Sequence, residues 1–364
     1  MIKLSNILEE STLRNINDSN LPLLGVNINK EFIPSIANTI GTDMKKYKIV
    51  RNNEFATNLM HVDRDKCVPI ALLHDMEGLV SPAYNVFKIK KEFESLIYPE
   101  YLMLCFKKES FDHISWYYSG ESIRGNLPVK KFLDIELSIP SYDVQIRVVE
   151  EYKTIETRIK LKEEINSNLT KQIDNILLSY INEDAKPLYL INYIEFIKGI
   201  EPGSDNYLTQ KAKDSIRFYR VQDIGKINTP IYIDKSLSKN KISKNGEILV
   251  SFDGTVGKIS NIVKGAYSSG LQKLKSKNPL FDNALIFAIF NSKSIQQQLK
   301  KANGTTISHA SKLIPTLNIK IDEAHLNKIS SSINSLYNQF YINNLEVQKL
   351  HEVLGLLISS VGIS

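Results

Sequence analysis

The chain has 364 residues, 42% of them hydrophobic, and a formal net charge of +6. This length allows two globular domains, and this composition excludes a disordered protein. No apolar run reaches the roughly eighteen residues of a membrane-spanning helix, and the N-terminal residues are too polar for a signal peptide, so the sequence predicts a cytoplasmic protein.

Residues 1–143 predict a first globular domain built from short strands. Apolar runs are typical of strands at residues 2–8 and 54–60. Ser81–Pro82 predicts a turn before a further strand. The run at residues 98–107 predicts a buried helix, because Pro99 suits the first helical turn.

The longest periodic pattern of the chain follows at residues 148–181. Its mostly apolar positions are spaced alternately by four and three residues and are Val148, Tyr152, Ile155, Ile159, Lys162, Asn166, Leu169, Ile173, Ile176 and Tyr180. This spacing is typical of a coiled-coil helix, here with a polar middle. No proline interrupts it, so the helix can be continuous.

The same spacing recurs 181 residues later, near the C-terminus. The positions are Ile329, Ile333, Leu336, Phe340, Asn343, Val347, Leu350, Leu354, Leu357 and Val361. Even the polar position Lys162 recurs, as Asn343. Two long helices in matched phase imply a duplicated unit whose helices bury each other's apolar positions. We call the two sets of positions together the seam.

The segments before the two helices also repeat, at an offset of 184 residues. In each copy a glycine-led turn, a polar helix start and an alternating strand lead into the long helix. The matched pairs are Gly120 with Gly304, Ile123 with Ile307, Leu133 with Leu317, Ile135 with Ile319, and Leu137 with Ile321. The sequence therefore predicts a first domain at residues 1–143, a helix at 144–185, a second domain at 186–322 and a helix at 323–364.

The second domain contains the most distinctive local runs. Residues 188–197 and 216–224 predict strands. The run from Asn245 to Lys258 predicts a turn, a buried strand and a glycine-rich turn that carries a lysine, and Gly265–Gly270 predicts another tight polar turn. Such glycines either let the backbone approach a ligand or turn a hairpin.

Positive charge is concentrated in the second domain. Residues 186–322 carry 21 Lys or Arg against 10 Asp or Glu, whereas residues 1–143 carry 17 against 19. The two helical segments are near neutral. This asymmetry favours a polyanion partner for the domains and a protein partner for the helices, although lysine-rich surfaces also serve solubility.

The motifs of several enzyme classes are incomplete in this sequence. Gly254–Lys258 is too short for a P-loop, and Ile259 stands where Ser or Thr would hold magnesium. Ser81–Tyr84 is similar to the base-holding loop of amino-methyltransferases, but no glycine-rich S-adenosylmethionine loop precedes it. The six histidines and two cysteines do not adopt metal-ligand spacing. We therefore predict no catalytic residue, no metal and no cofactor.

The order of domain, long helix, domain, long helix resembles the specificity subunits of type I restriction-modification systems. The resemblance covers essentially the whole chain, and the motifs that carry it are Gly246–Ser251, Asp253–Thr255, Gly257–Lys258 and Ser268–Gly270. It implies an α+β fold in which two similar α/β target recognition domains each read half of a split DNA site. Two long helices between them form an antiparallel coiled coil that acts as a spacer. The first domain departs from the pattern at Asn53–Phe55, which no Asp-Gly-Thr follows.

The resemblance also implies partners for the chain. They are double-stranded DNA with a bipartite site, two methyltransferase subunits docked on the helices, and restriction or translocase subunits where the system has them. The chain would direct an adenine methyltransferase to its site and catalyse nothing itself. The alternative is a protein scaffold, in which the two domains bind acidic partners and no specific DNA.

Sequence-specific binding needs polar side chains on rigid turns against base edges and basic side chains against phosphates. In the second domain the base-reading candidates are Ser251, Asp253, Thr255, Lys258, Ser268, Ser269 and Gln272, and the phosphate candidates are Lys273 and Lys275. In the first domain the candidates are Thr57, Asn58, His61, Ser81 and Tyr84. For each of them an ordinary exposed turn residue is the competing interpretation.

Overall fold

The computed structural model describes residues 1–37, 41–120, 125–225, 230–301 and 310–362. The chain divides into two compact units. The first consists of Met1–Thr157 and Glu352–Ser364, and the second of Arg158–His351. In the described ranges, no helix is both long enough and apolar enough to cross a membrane.

The first unit contains many short strands. In chain order they are β1 (Ile2–Lys3), β2 (Leu8–Glu10), β3 (Leu24–Val26), β4 (Phe32–Pro34), β5 (Lys48–Val50), β6 (Phe55–Thr57), β7 (Ile70–Leu72), β8 (Gly78–Val80), β9 (Asn85–Ile89) and β10 (Glu136–Leu137). Its helices are α1 (Leu4–Ile7), α2 (Val62–Asp65), α3 (Pro99–Phe106), α4 (Glu109–Ser119), α5 (Val129–Leu133) and the first part of α6 (Tyr142–Leu178).

The main sheet of the first unit has the strand order β2-β9-β6-β7, with all neighbours antiparallel. Phe55 and Phe87 face each other across β6 and β9 and are fully buried. The apolar helix α3 packs into the same core and begins with Pro99 at a first-turn position, as predicted. Two smaller sheets, β3-β4 and β5-β8, surround a second small core.

The second unit repeats this order of elements. Its strands are β11 (Leu188–Tyr189), β12 (Ile194–Lys198), β13 (Ser215–Tyr219), β14 (Ile231–Asp234), β15 (Ile242–Ser243), β16 (Ile248–Ser251), β17 (Ile259–Ser260), β18 (Gly265–Tyr267), β19 (Leu271–Ser276) and β20 (Asn318–Ile319). Its helices are α7 (Leu190–Tyr193), α8 (Asn283–Asn291), α9 (Lys293–Lys300) and most of α10 (Leu326–Ser360), whose end from Glu352 belongs to the first unit, together with the later part of α6.

The main sheet of the second unit, β12-β19-β16-β17, corresponds strand by strand to that of the first. The turn before β16 also matches the turn before β6. Glu54 accepts a hydrogen bond from Arg51 N at 2.8 Å, and Glu247 accepts one from Lys244 N at 2.7 Å. A second sheet, β14-β13-β18-β15, covers part of the main sheet of this unit.

Pairing between the first and last strands of each unit corrects the predicted alignment of the two copies. Ile2 pairs with Leu137 in the first unit, and Leu188 pairs with Ile319 in the second. Leu137 therefore corresponds to Ile319, an offset of 182 residues rather than 184. A two-residue shift keeps the inward and outward alternation of a strand, so the sequence pattern could not distinguish the two alignments. The predicted partners Ile123, Gly304 and Ile307 lie outside the described residues.

The two long helices follow the predicted pattern closely. α6 has 37 residues and α10 has 35, and every seam position is buried or half-buried. In the second unit the helices are antiparallel, because Arg158 contacts Glu346 while Asn166 contacts Asn343. The apolar part of this seam, with Ile173, joins the core of the second unit. The prediction of an α+β fold with two paired long helices is confirmed.

Several predicted strands are shorter than the sequence pattern indicated. The runs 2–8 and 188–197 are each interrupted by a one-turn helix, α1 and α7. The run 54–60 ends as a strand at Thr57, because the side chain of Asn58 caps the following turn.

The predicted turn at Gly265–Gly270 begins as the buried strand β18, which lies parallel to β13. Gly265 permits this close pairing, since a Cβ there would lie 2.3 Å from the carbonyl oxygen of Arg217. The strand predicted at 216–224 ends at Tyr219, because the carboxylate of Asp223 accepts a hydrogen bond from Arg220 N and the chain turns.

The end of the chain is part of the first unit. Val361 is 2% exposed, and its carbonyl oxygen accepts a hydrogen bond from the buried Lys108 ammonium. Burial lowers the pKa of Lys108. Gly362 O accepts a hydrogen bond from Ser138 N at 2.8 Å. The residues after α10 therefore pack against the core of the first unit near Cys105. A Cβ at position 362 would lie 2.6 Å from Cys105 Sγ.

We expect Gly362→Ala and Gly355→Ala to change stability in opposite directions. Gly362 has φ +64°, so alanine would be strained and would press on Cys105, and we expect a loss of about 1–2 kcal/mol. Gly355 lies within α10, where an added Cβ meets nothing within 4 Å, so alanine should gain about 0.8–1 kcal/mol from helix propensity. Guanidinium unfolding of both variants measures the effect, and a stabilised Gly362→Ala protein would contradict the anchoring of the C-terminal end.

Candidate nucleic-acid interface

Four segments of the second unit meet at one end of its main sheet. Ser269 N donates a hydrogen bond to Ile200 O at 2.8 Å, and Ser268 N donates one to Tyr219 O at 2.9 Å. Phe252 N donates to Gly270 O at 2.8 Å. We call the segments 199–203, 219–224, 251–258 and 267–271 the loop cluster.

Glycine is required where the loop cluster is most tightly packed. A Cβ at Gly199 would lie 2.2 Å from Tyr267 O, and one at Gly270 would lie 2.7 Å from Cγ2 of Val221. Gly254 and Gly257 have φ +62° and +88°, which favours glycine at both. Turn geometry, one of the two predicted roles, explains Gly254 and Gly257, whereas Gly199 and Gly270 are required by close packing within the protein.

The loop 251–258 is closed by Ser251. Its hydroxyl donates to Thr255 O and accepts from Lys258 N at 2.9 Å, and its own N–H donates to Lys258 O at 2.9 Å. Gln296 of α9 stabilises the loop, because its side-chain amide donates a hydrogen bond to Gly257 O at 2.9 Å. This role of Gln296 could not be predicted from the sequence, because a glutamine in an amphipathic helix carries no signal of its partner.

Three of the predicted base-reading residues are buried in the structure. Ser251 is 0% exposed, Gln272 is 3% exposed and Ser268 is 8% exposed. Ser251 holds the loop 251–258 together, and Gln272 lies within β19 between β12 and β16. We therefore leave these three out of the proposed contact surface. The prediction failed to separate them from exposed turn residues because both kinds are small and polar.

Lys273 also differs from its predicted role as a phosphate ligand. Its ammonium group donates to Ile242 O at 3.0 Å and to both carboxylate oxygens of Glu247 at 3.2 Å. Its side chain is 16% exposed. Since its donors are occupied inside the protein, Lys273 stabilises the turn before β16, and we leave it out of the phosphate candidates.

The remaining candidates of the second unit lie at the surface. Thr255 and Lys275 are exposed, and Asp253, Lys258 and Ser269 are half-exposed. Ser269 is held in place, because its hydroxyl donates to Glu201 at 2.7 Å. This leaves Lys258 and three small polar side chains on the loop cluster, whereas Lys275 lies toward the other end of β19, opposite Glu195. Loops held by so many backbone contacts present such side chains in a fixed arrangement, as base reading requires.

Arginines lie beside the same cluster. Arg217 stacks 4.5 Å from the centre of the Tyr219 ring. Arg220 donates to both carboxylate oxygens of Asp223 at 3.0 Å, which raises the pKa of Arg220. Arg217 and Tyr219 are two residues apart in β13 and so lie on the same face of the strand. Arg220 instead fixes the turn at the end of β13.

At the corresponding end of the first unit, most of the predicted DNA-contacting residues are buried or half-buried. Thr57 is 0% exposed, Asn58 caps the turn at Met60 N, and Ser81 accepts from Ala83 N at 3.3 Å. The hydroxyl of Tyr84 accepts from Val26 N at 3.1 Å. Of the five predicted residues, only His61 is exposed.

The first unit has a cavity of about 710 Å³ lined by Asp63, His113, Trp116, Tyr117 and Gly120. Asp63 follows His61 by two residues in the sequence. The indole N–H of Trp116 donates to Asp63 at 3.0 Å. Across the described parts of the chain, no group of three or more His, Cys, Asp or Glu side chains could hold a metal ion.

The chain was compared with known proteins. No protein-family model matches it, and no curated protein is a significant match. Among solved structures, the type I restriction-modification system S subunit from M. genitalium is 12% identical, with a TM-score of 0.54 over 100% of this chain and 96% of that chain. The chain has the fold of this S subunit.

Two further structures match over nearly the full length. The HsdS subunit from Thermoanaerobacter tengcongensis is 14% identical, with a TM-score of 0.40 over 99% of this chain and 95% of that chain. The third is a chain from a structural study of the complex assembly and conformational transition of the type I R-M system. It is 15% identical, with a TM-score of 0.40 over 99% of this chain and 96% of that chain. The match to the M. genitalium S subunit covers both units and both long helices of this chain.

Proposed function

We propose that this chain is a non-catalytic DNA-reading subunit that recognises a bipartite site and directs modification enzymes to it. The observation that carries the proposal is the duplication within one S-subunit fold. Two units with the same main sheet are connected by two long helices. A protein that reads two half-sites at a fixed separation needs two reading units and a spacer, and the two units and two long helices of this chain suit these roles.

Charge and loop geometry support DNA as the partner. Residues 186–322 carry an excess of 11 positive charges, which suits a polyanion. The exposed polar side chains of the loop cluster are held by backbone hydrogen bonds and by Gln296 and Glu201. In the first unit His61 is the exposed candidate, two residues before Asp63, which lines an aromatic cavity, so we propose that the half-site of this unit is read by different contacts.

The proposal includes partners and a place in the cell. One solved neighbour comes from work on the complex assembly of the type I R-M system, and we propose that this chain likewise assembles with two methyltransferase subunits. Restriction or translocase subunits join where the system has them. We further propose that the assembly works in the cytoplasm, with no catalytic group or cofactor from this chain.

Lys258 and Lys273 give a matched pair for testing the contact surface. We expect Lys258→Ala to weaken DNA binding and to flatten the slope of log K against log salt by roughly one unit, as the loss of one phosphate contact does. Lys273→Ala removes an internal ion pair with Glu247, so we expect lower stability and an unchanged slope. Fluorescence anisotropy at several salt concentrations measures the slope for both variants. Equal slopes for Lys258→Ala and the wild type would show that Lys258 does not contact a phosphate.

The function itself can be tested in the host by sequencing its DNA methylation with and without this gene. We expect one class of methylated adenine, in a split sequence motif, to disappear on deletion and to return on complementation. An unchanged methylation pattern, together with DNA binding that depends on salt but not on sequence, would instead support the protein scaffold.

A further inference from the structure

A row of polar side chains crosses the helix pair of the second unit. Asn343 and Asn166 are 1% and 7% exposed. Asn343 donates to Asn166 Oδ1 at 3.1 Å, and Asn166 donates to Asn344 Oδ1 at 2.8 Å. Lys162 donates to Asn343 Oδ1 at 3.2 Å. We call Lys162, Asn166, Asn343 and Asn344 the polar layer.

An ion pair lies at one edge of the polar layer. Lys162 Nζ is 2.6 Å from the Glu346 carboxylate, which Arg158 also contacts. The hydrogen bond from Lys162, with that from Arg158, lowers the pKa of Glu346. The ammonium group of Lys162 thus bridges a buried amide of α10 and a carboxylate one turn further along the same helix.

On its other side the polar layer is linked to the globular part of the second unit. Asn344 Nδ2 donates to Asn261 Oδ1 at 3.4 Å, and Asn261 Nδ2 donates to the hydroxyl of Tyr337 at 3.5 Å. Asn261 is 2% exposed and follows β17, three residues after Lys258. A continuous chain of hydrogen bonds therefore runs from the seam to the strand that leaves the loop 251–258.

Apolar contacts alone would hold the two helices less specifically. The seam positions on either side of the polar layer are all apolar, namely Ile159, Leu169, Phe340 and Val347. Burial of such side chains is non-directional, so a neighbouring register would bury similar area. A slip would, however, place the buried amides of Asn166 and Asn343 against apolar side chains, and buried amides without partners are unfavourable. Polar seam residues of this kind specify register at some loss of stability.

We infer that the polar layer and Asn261 determine how strictly the protein reads the length of the gap between its half-sites. This inference rests on the proposed function and names positioning residues for it. With the layer intact, the helix pair has one register and one attachment to the loop-bearing part of the second unit. Without it, the pairing of the helices and their attachment to the second unit become less fixed, so the separation of the half-site contacts varies and the protein accepts neighbouring gap lengths.

The double variant Asn166→Leu/Asn343→Leu separates positioning from stability. It replaces the two most buried amides of the polar layer with apolar side chains, while Lys162 keeps its contact with Glu346 and Asn344 keeps its contact with Asn261. Replacement of both members of a buried polar pair is often neutral or stabilising. We expect its Tm to equal or exceed that of the wild type. The single variant Asn343→Leu leaves the buried Asn166 Oδ1 without its donor and should have a lower Tm. Asn338→Leu is the matched control, since Asn338 is exposed on the same helix.

The deciding measurement is the affinity of the full chain for DNA duplexes that carry both half-sites, as identified by selection from random duplexes. The half-sites are separated by the preferred gap or by a gap one base pair longer or shorter. We expect the wild type and Asn338→Leu to bind the altered gaps at least about tenfold more weakly, which corresponds to about 1.4 kcal/mol. The double variant should discriminate less than about threefold, while its preference for each half-site sequence is unchanged.

Discrimination by the double variant equal to that of the wild type would overturn the inference while leaving the proposed function standing. A wild-type chain without any half-site preference would instead refute the proposed function, and this inference with it. If the double variant fails to fold, Asn261→Leu gives the same test from outside the helices, and full discrimination by that folded variant would overturn the inference.

Discussion

A seven-residue insertion after Thr157 in α6 alone is expected to destabilise the protein by about 5 kcal/mol or more, because at least two buried side chains, each contributing about 2–5 kcal/mol, must leave their sites. α6 is anchored in the first unit by Tyr152 and in the second by Ile173, and α10 is anchored by Val361 and Ile333. An extension of about 10 Å in one helix cannot be matched by the other.

A second insertion of seven residues after His351 in α10 should restore stability. Thr157 and His351 both lie at the boundary between the two compact units, so the contacts within each unit are retained. One heptad keeps the seam in phase. Under the proposed function, the spacer then lengthens by about 10 Å, and the unread gap should grow by about three base pairs at about 3.4 Å each.

Chemical unfolding and selection of binding sites from random duplexes test this prediction. The matched control is a two-residue insertion at both positions, which rotates the following seam by roughly 200° and should be unstable. A stable double-heptad protein that keeps the original gap would show that the helices do not set the distance.

The second large effect is expected for Phe252→Ala, which should destabilise the protein by about 3–5 kcal/mol. Phe252 is 1% exposed in the core of the second unit and packs edge-on against Phe196, with ring centres 6.1 Å apart. Its N–H donates to Gly270 O, so the same residue connects the core to the loop cluster. Removal of the ring should therefore also weaken DNA binding.

Phe252→Leu keeps most of the buried volume and should lose only about 1–2 kcal/mol. Guanidinium unfolding gives the free energies, and anisotropy at 20–25 °C, where both variants remain folded, gives the affinities. A loss below about 1 kcal/mol for the alanine variant would mean that the loop cluster is held by its backbone contacts alone.

The helices could be predicted from the sequence in detail. Their spacing of four and three residues and the absence of proline are local signals, the polar position Lys162 recurs as Asn343, and every seam position is buried or half-buried in the structure. The identity of the hydrogen-bond partners could not be predicted, because Asn344 and Asn261 are 83 residues apart and neither belongs to a periodic pattern.

The candidate site was harder to predict than the fold. Polar composition marked the loops correctly, yet Ser251 and Gln272 proved to be internal and Lys273 to be paired with Glu247. Whether a small polar side chain points outward depends on the turn geometry, and a lysine's partner depends on strand register. Neither is encoded in local sequence. The β18 strand was missed for a related reason, since its fit beside β13 depends on Gly265 and a distant carbonyl oxygen.

Selection of DNA from a random duplex library by the purified full-length chain is the most direct test of the central claim. We predict that the recovered sequences share two short conserved half-sites separated by an unread gap of constant length. Recovery that depends on salt but enriches no sequence, or that enriches a single continuous site, would contradict the assignment of two reading units on a fixed spacer.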